Sequence, residues 1–274
     1  MPNISDKKIE ELKQTAHNIR KDIIEMLGRA GSGHPGGSLS AADIVVALYF
    51  YKMKHDPKNP EWENRDRFIL SKGHACPLLY AVLAEAGYFP EQELSKLRKV
   101  DSMLQGHPHP GTPGVEIATG SLGQGLSVAN GIAIAAKLDK KDYKVYALIG
   151  DGESQEGQIW EAAMTAAHYK LDNLVAILDH NCLQIDGKTE CVMNIDPVAP
   201  KWKSFGWHVI EINGHDFNEI IKALDSADKV KGKPVMIIAN TIKGKGVSFM
   251  EDKADWHGKA PDEKQMKEAL KELS

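Results

Sequence analysis

The segment VYALIGDGESQEG, residues 145–157, ends an apolar run on a lone carboxylate, Asp151, with Gly150 and Gly152 on either side. Thirty positions later, just beyond the next apolar run NLVAILD (173–179), stands Asn181. That interval fits one strand–helix–strand unit, and adjacent parallel strands lie ~4.8 Å apart. The Asp151 carboxylate and the Asn181 amide oxygen can therefore meet beyond neighbouring strand ends. Both are hard oxygen donors, too few to enclose an ion. Mg2+ prefers octahedral oxygen coordination and commonly completes its shell with water and phosphate. The pair therefore asks for a phosphorylated ligand. A diphosphate would supply two oxygens, and a loop carbonyl such as that of Leu183 another. Glycine on both sides of Asp151 lets such a ligand approach bare main chain.

Four histidines form a second set: His34 in GSGHPGGS, His74 in LSKGHA, His107 in LQGHP and His257 in WHGKAP. All lie in loop segments. Histidine has an ordinary pKa of ~6.5, so small environmental shifts set either proton state, which suits proton transfer. Taken singly, each reads as well as a surface or core side chain. Glu156 and Glu161 lie on the turn and helix after Asp151, where solvated charge competes with a role in a site. His17, His55, His109, His168, His180, His208 and His215 are expected to be structural or exposed. The segment KGKG, 243–246, has the charge to neutralise a phosphate, but an exposed basic loop is the simpler expectation.

The elements that must carry these residues follow from periodicity. Ile9, Leu12, Ala16, Ile19, Ile23 and Met26 recur at helical spacing and predict a first helix over 6–30, broken by the glycines of GSGHPGGS. A second helix is expected from Ser40, with Asp43 three residues on in capping-box style, and others at 77–88, 90–100, 123–138, 159–171, 199–206, 217–227 and 262–274. Short apolar runs at 67–71, 144–150, 173–179, 207–213 and 234–241 read as strands. Alternation of helices with nearly all-apolar strands predicts an α/β fold, a doubly wound, mostly parallel sheet with helices on both faces. In such sheets ligands bind beyond the carboxyl ends of the strands, where Asp151 and Asn181 are placed.

The totals narrow the function classes. The chain has 274 residues, 42% hydrophobic, with a net charge of −4. A nucleic-acid surface would need clustered excess Lys and Arg, and none is expected. The longest apolar run, residues 44–51, is far short of the ~20 residues that span a bilayer. Cys76, Cys182 and Cys191 form no evident disulfide framework, as expected of reduced thiols in a cytoplasmic protein. GSLGQG is not spaced as a dinucleotide fingerprint and lacks the acidic ribose partner.

GDGESQEG…EA…NL…LDHN…IDG resembles the diphosphate-binding motif of thiamine diphosphate enzymes. The resemblance implies that Asp151, Asn181 and the Leu183 carbonyl hold Mg2+ (Ca2+ or Mn2+ being substitutes) against the cofactor diphosphate, with Gly150, Gly152, Glu156 and Ile185 around the cofactor. The four histidine segments, in this order, resemble transketolases, and GVEIATGSLGQGL is similar to that family's loop over the cofactor, with Gly120, Ser121 and Leu122 at the contact positions. Where the family often has proline, this chain has Ser121, which gains an N–H. By this resemblance His74 and His107 face the reactive end of the cofactor, while His34 and His257 handle the cleavage proton and the acceptor oxygen. Glu161 resembles the acid that joins a carboxylate network across the interface with the partner. The implied reaction moves a two-carbon ketol unit from a ketose phosphate to an aldose phosphate, with sugars of the pentose phosphate pathway as default substrates. The resemblance covers nearly the whole chain. It implies one diphosphate-binding domain over 1–274, with the pyrimidine-binding and C-terminal domains on a separate chain and a dimer of heterodimers (a heterotetramer) as the assembly. Alternatives are a subunit of another thiamine diphosphate enzyme, 2-oxo acid dehydrogenase alpha-like, or a cofactor-binding subunit without turnover.

Overall fold

The computed structural model describes residues 4–274. Helix α1 (Asp6–Ala30) buries Ile9, Leu12, Ala16, Ile19 and Ile23 along one face, and Ser5 Oγ caps it by accepting from Lys8 N at 3.3 Å. The chain re-enters helix at Pro35, earlier than the Ser40 start expected, as α2 (Pro35–Ser40) and α3 (Ala42–Ala47), whose last turn widens over Leu48–Lys52. Proline suits a first helical position because it has no N–H to leave unpaired. No capping box forms at Ser40. Its hydroxyl donates to Asp179, and the Asp43 carboxylate turns to Arg20 and His215.

Five parallel strands follow: β1 (Arg67–Leu70), β2 (Val145–Gly150), β3 (Leu174–His180) and, after a short hairpin of β4 (Leu183–Gln184) and β5 (Gly187–Lys188), β6 (His208–Asn213) and β7 (Val235–Asn240). Their order in the sheet is β1-β2-β3-β7-β6. Side chains alternate across a strand, and here both faces are covered. Tyr146 and Leu148 enter the core beneath α1, α3 and α4 (Cys76–Glu85), together with α9 (Phe217–Ala227). Val145, Ala147 and Ile149 enter a second core with α5 (Gln124–Leu138), α6 (Gly157–His168) and α8 (Val198–Ser204). Two-sided burial explains why β1, β2, β3 and β7 read as continuous apolar runs, whereas the edge strand β6 stays largely exposed. A short α7 (Thr189–Val192) and the closing α10 (Glu263–Glu272) complete the fold.

The helix expected over 90–100 is only a 3-10 turn, Glu91–Lys96. Leu97 leaves it in an extended conformation and Arg98 takes a positive φ of 60°, so the chain reverses. Apolar residues are too few beyond Leu97 to make a stripe worth burying. Among the described residues no helix is long and apolar enough to cross a membrane.

Candidate functional site

The sheet register fixes the first pair of residues. Gly150 at the end of β2 lies opposite Asp179 on β3. Asp151 is therefore one step past its strand end and Asn181 two past Asp179. The fully buried Asp151 carboxylate accepts from Asn181 N at 2.7 Å and Cys182 N at 2.6 Å through Oδ2, and from His180 Nδ1 at 2.7 Å through Oδ1. The hydrogen bond to Asp151 raises the His180 pKa against the effect of burial. The Asn181 amide has a defined sense: its Nδ2 donates to Asp179 and its Oδ1 accepts from Leu183 N at 3.2 Å. Sequence reasoning expected His180 to be merely structural or exposed. It is a direct partner of the proposed metal ligand.

Two buried carboxylates brace this corner. Asp179 is paired with Lys72, accepts from Ser40 Oγ at 2.6 Å and bonds Thr241 Oγ1. Burial alone would raise its pKa, but Lys72 and these donors bring it below the usual carboxylate range. Glu153 joins three segments, accepting from Ser71 Oγ, from Gly123 N at 3.0 Å and from Gly150 N at 3.1 Å. Its burial raises the carboxyl pKa.

Above the corner lies a cavity of about 290 Å³ at the carboxyl ends of the strands. Asp151, Asn181 and Leu183 line it together with Gly150, Gly152 and Glu156. His74, His257 and Leu122 close the other side, and Ile185, 63% exposed, forms the rim. Gly150 and Gly152 present main chain here: a Cβ on Gly152 would press on Gln184 Cβ at 3.3 Å. Lys72 and Lys243 also line the cavity. Lys243 corrects the expectation of an exposed basic loop, being only 2% exposed, with Nζ 2.8 Å from His257 Nδ1.

The four histidines, 223 residues apart at the extremes, converge. The ring of His34 lies 5.3 Å from His74, 6.4 Å from His107 and 5.6 Å from His257, and His74 lies 5.0 Å from His257. His34 Nδ1 is buried without a partner among the described residues. Burial lowers the pKa of all four, aided by neighbouring positive charge: Arg98 at His34 and His107, Lys72 at His74, and Lys243 at His257. His34 falls to about 4 and His257 to about 3, so both are neutral at neutral pH. Gly120 seats His107. Its φ of 144° suits glycine, and a Cβ there would lie 2.8 Å from the ring. Ser121 leads into the turn before α5, where its carbonyl accepts from Gln124 N. Glu161 stands apart, exposed on α6 and outside the cavity.

These residues fit a metal-bound diphosphate. One carboxylate, one oriented amide and a main-chain segment supply hard donors, and bare glycine main chain and two lysines face the remaining space. Among the described residues no group of three or more His, Cys, Asp or Glu side chains forms a metal site, so an ion here would need ligand oxygens to complete its shell.

Comparison with known proteins agrees with this geometry. Residues 11–274 match the family model of the transketolase thiamine diphosphate binding domain. The chain is 49% identical over 264 residues to the 6-deoxy-6-sulfo-D-fructose transketolase subunit SqwG of Clostridium sp. (strain MSTE9), covering 96% of each. It is 46% identical over 266 residues to an apulose-4-phosphate transketolase subunit from Phocaeicola vulgatus, covering 97% of this chain and 95% of that one. It is also 46% identical to human transketolase, of which it spans 42%. The crystal structure of Campylobacter jejuni transketolase superposes with a TM-score of 0.91 at 41% identity, over 96% of this chain and 42% of that one. Fold, site and kinship together show that the chain belongs to the transketolase family and corresponds to its thiamine diphosphate-binding domain.

Proposed function

We propose that this chain is the diphosphate-binding subunit of a split transketolase, which with a partner chain transfers a two-carbon ketol unit from a ketose to an aldose. The observation that carries the reading is the convergence of His34, His74, His107 and His257 beside the Asp151–Asn181–Leu183 corner. The names of the two subunit relatives, matched nearly end to end, support a partner chain. That partner would carry the pyrimidine-binding domain and its glutamate, in a dimer of heterodimers.

Thiamine diphosphate, when bound, supplies the electron sink for carbon–carbon cleavage and formation. Asp151, the Asn181 Oδ1 and the Leu183 carbonyl hold Mg2+, or Ca2+ or Mn2+ in its place. Gly120, Ser121, Leu122, Gly150, Gly152, Glu156 and Ile185 contact the cofactor, and the lysine charges offset its diphosphate. His74 and His107 meet the reactive end, where neutral imidazoles can donate or accept. His34 and His257 handle the donor's hydroxyl proton and the acceptor's oxygen. Glu161, exposed on α6, joins a carboxylate network with the glutamate that the partner chain supplies. Substrates are sugars with an anionic tail. Pentose phosphates are the default, and the sulfonated sugar and the apulose phosphate in the relatives' names mark the range of substrates a partner could select. The reading places the enzyme in the cytoplasm.

Calorimetric titration of the chain, alone and with its partner, tests the cofactor site. Thiamine diphosphate should bind only with a divalent ion, and Asp151→Ala should abolish that metal-dependent binding. Unchanged affinity in the variant would remove Asp151 from the metal site.

A further inference from the structure

The loop after β7 brings Lys243 to His257 with little freedom. Gly244 N donates to Gly36 O at 3.0 Å, Asp252 N donates to Lys243 O at 3.0 Å, and Ile242 N donates to His215 Nε2 at 2.8 Å. The lysine stem runs over Gly36, where a Cβ would lie 3.0 Å from Lys243 Cγ and Cε. The ammonium is thereby held 2.8 Å from Nδ1 of His257. An ammonium has three donors and no acceptor, so Nδ1 must accept, and a neutral imidazole accepting at Nδ1 carries its hydrogen on Nε2. The opposite tautomer would set two donors against each other at this distance.

We propose that Lys243 is a positioning residue for His257: it locks the imidazole in the Nε2–H tautomer, so that His257 meets a substrate oxygen as a hydrogen-bond donor and not as a base. The ring lines the cavity, between His74 at 5.0 Å and His34 at 5.6 Å, and Nε2 is the ring nitrogen left to donate to a ligand there. The surrounding charges agree. Burial, then Lys243, His34 and Lys72, hold His257 at about 3 and therefore neutral at pH 7. Burial and Lys72 lower Lys243 to about 8, Asp179 and Asp151 act against them, and the amine remains an ammonium at pH 7. The catalytic meaning rests on the transketolase reading. The tautomer does not.

The test is two-bond 15N–1H correlation on the full chain labelled at histidine, at pH 7, with and without thiamine diphosphate and Mg2+. His257→Gln identifies the signals. Nδ1 unprotonated and Nε2 protonated is the expected wild-type state. In Lys243→Met the two nitrogens should average between tautomers and the ring should titrate at higher pH, while Lys243→Arg should restore the wild-type pattern. An Nδ1–H tautomer in the wild type overturns the proposal, and so does an unchanged Nε2–H state in a folded Lys243→Met. If that variant does not fold, the wild-type spectrum decides alone. Failure of ketol transfer with the tautomer intact would remove the enzymatic reading and leave this one standing.

Discussion

Replacing Lys72 with methionine removes, among the described residues, the only cation bonded to Asp179, a carboxylate whose side chain is fully buried. The Lys72 side chain is itself 3% exposed, so water cannot take its place without rearrangement. Removing one partner of a buried pair typically costs ~3–5 kcal/mol. Asp179 keeps Ser40, Thr241 and Asn181 as donors, which puts the cost near the lower end, about 3 kcal/mol. For a chain of this size each kcal/mol moves Tm by ~2–4 °C, giving a fall of ~6–12 °C. The pH dependence has a definite sign. The pair depresses the folded-state pKa of Asp179, so its stabilisation is present above the ordinary carboxylate pKa and is lost as pH falls through the folded value. Wild type and Lys72→Met should therefore differ fully at pH 7 and converge in acid. Lys72→Met/Asp179→Asn should recover part of the loss, because no charge is left uncompensated. Calorimetric unfolding of the three proteins across pH measures this. A Tm difference within error at pH 7, or one that persists undiminished in acid, would refute the reasoning.

Three further outcomes are expected. His180→Ala should weaken metal-dependent cofactor binding ~10–100-fold, the usual effect of losing a partner that orients a metal ligand, and equal affinity by calorimetry would deny it that role. Gly120→Ala should displace His107 and depress kcat of ketol transfer while cofactor affinity holds; a wild-type kcat would show that the ring need not sit where Gly120 seats it. Folded His34 and His257 hold pKa values of about 4 and about 3 against ~6.5 unfolded, so the unfolded chain binds extra protons in between and stability should fall as pH drops below ~6.5. Denaturant midpoints from pH 7 to 4 measure that slope, which His34→Gln and His257→Gln should flatten and which a flat wild-type profile would contradict.

Strands β1, β2, β3 and β7 were legible because burial on both faces made them plain apolar runs, while the largely exposed edge strand β6 showed only a partial one, and α9 was bounded at Phe217–Ala227 as the pattern predicted. The Asp151–Asn181 relation followed from one strand–helix–strand interval. The meeting of four distant histidines could be inferred only from resemblance, since nothing local in four loop segments says that they converge. The buried charges were the least legible. Lys72, Asp179, Glu153 and Lys243 are charged residue types that usually lie outside, and their burial depends on partners scattered along the chain. The one signal was position: Lys72 stands two residues before His74, Glu153 two after Asp151, and Asp179 at the end of an apolar strand. The early start at Pro35 was missed because Ser40 and Asp43 imitate a cap, whereas their side chains serve Asp179, Arg20 and His215.

Ketol transfer from xylulose 5-phosphate to ribose 5-phosphate, with thiamine diphosphate and Mg2+, is the most direct test of the central claim, run with this chain alone and then with the protein encoded beside it. Activity in the mixture and none from the chain alone is the predicted result, with 6-deoxy-6-sulfo-D-fructose and apulose 4-phosphate run in parallel to cover the substrates a partner could select. Turnover by the chain alone would contradict the divided active site, and cofactor binding to the mixture without transfer from any of these ketoses would contradict the transketolase assignment itself.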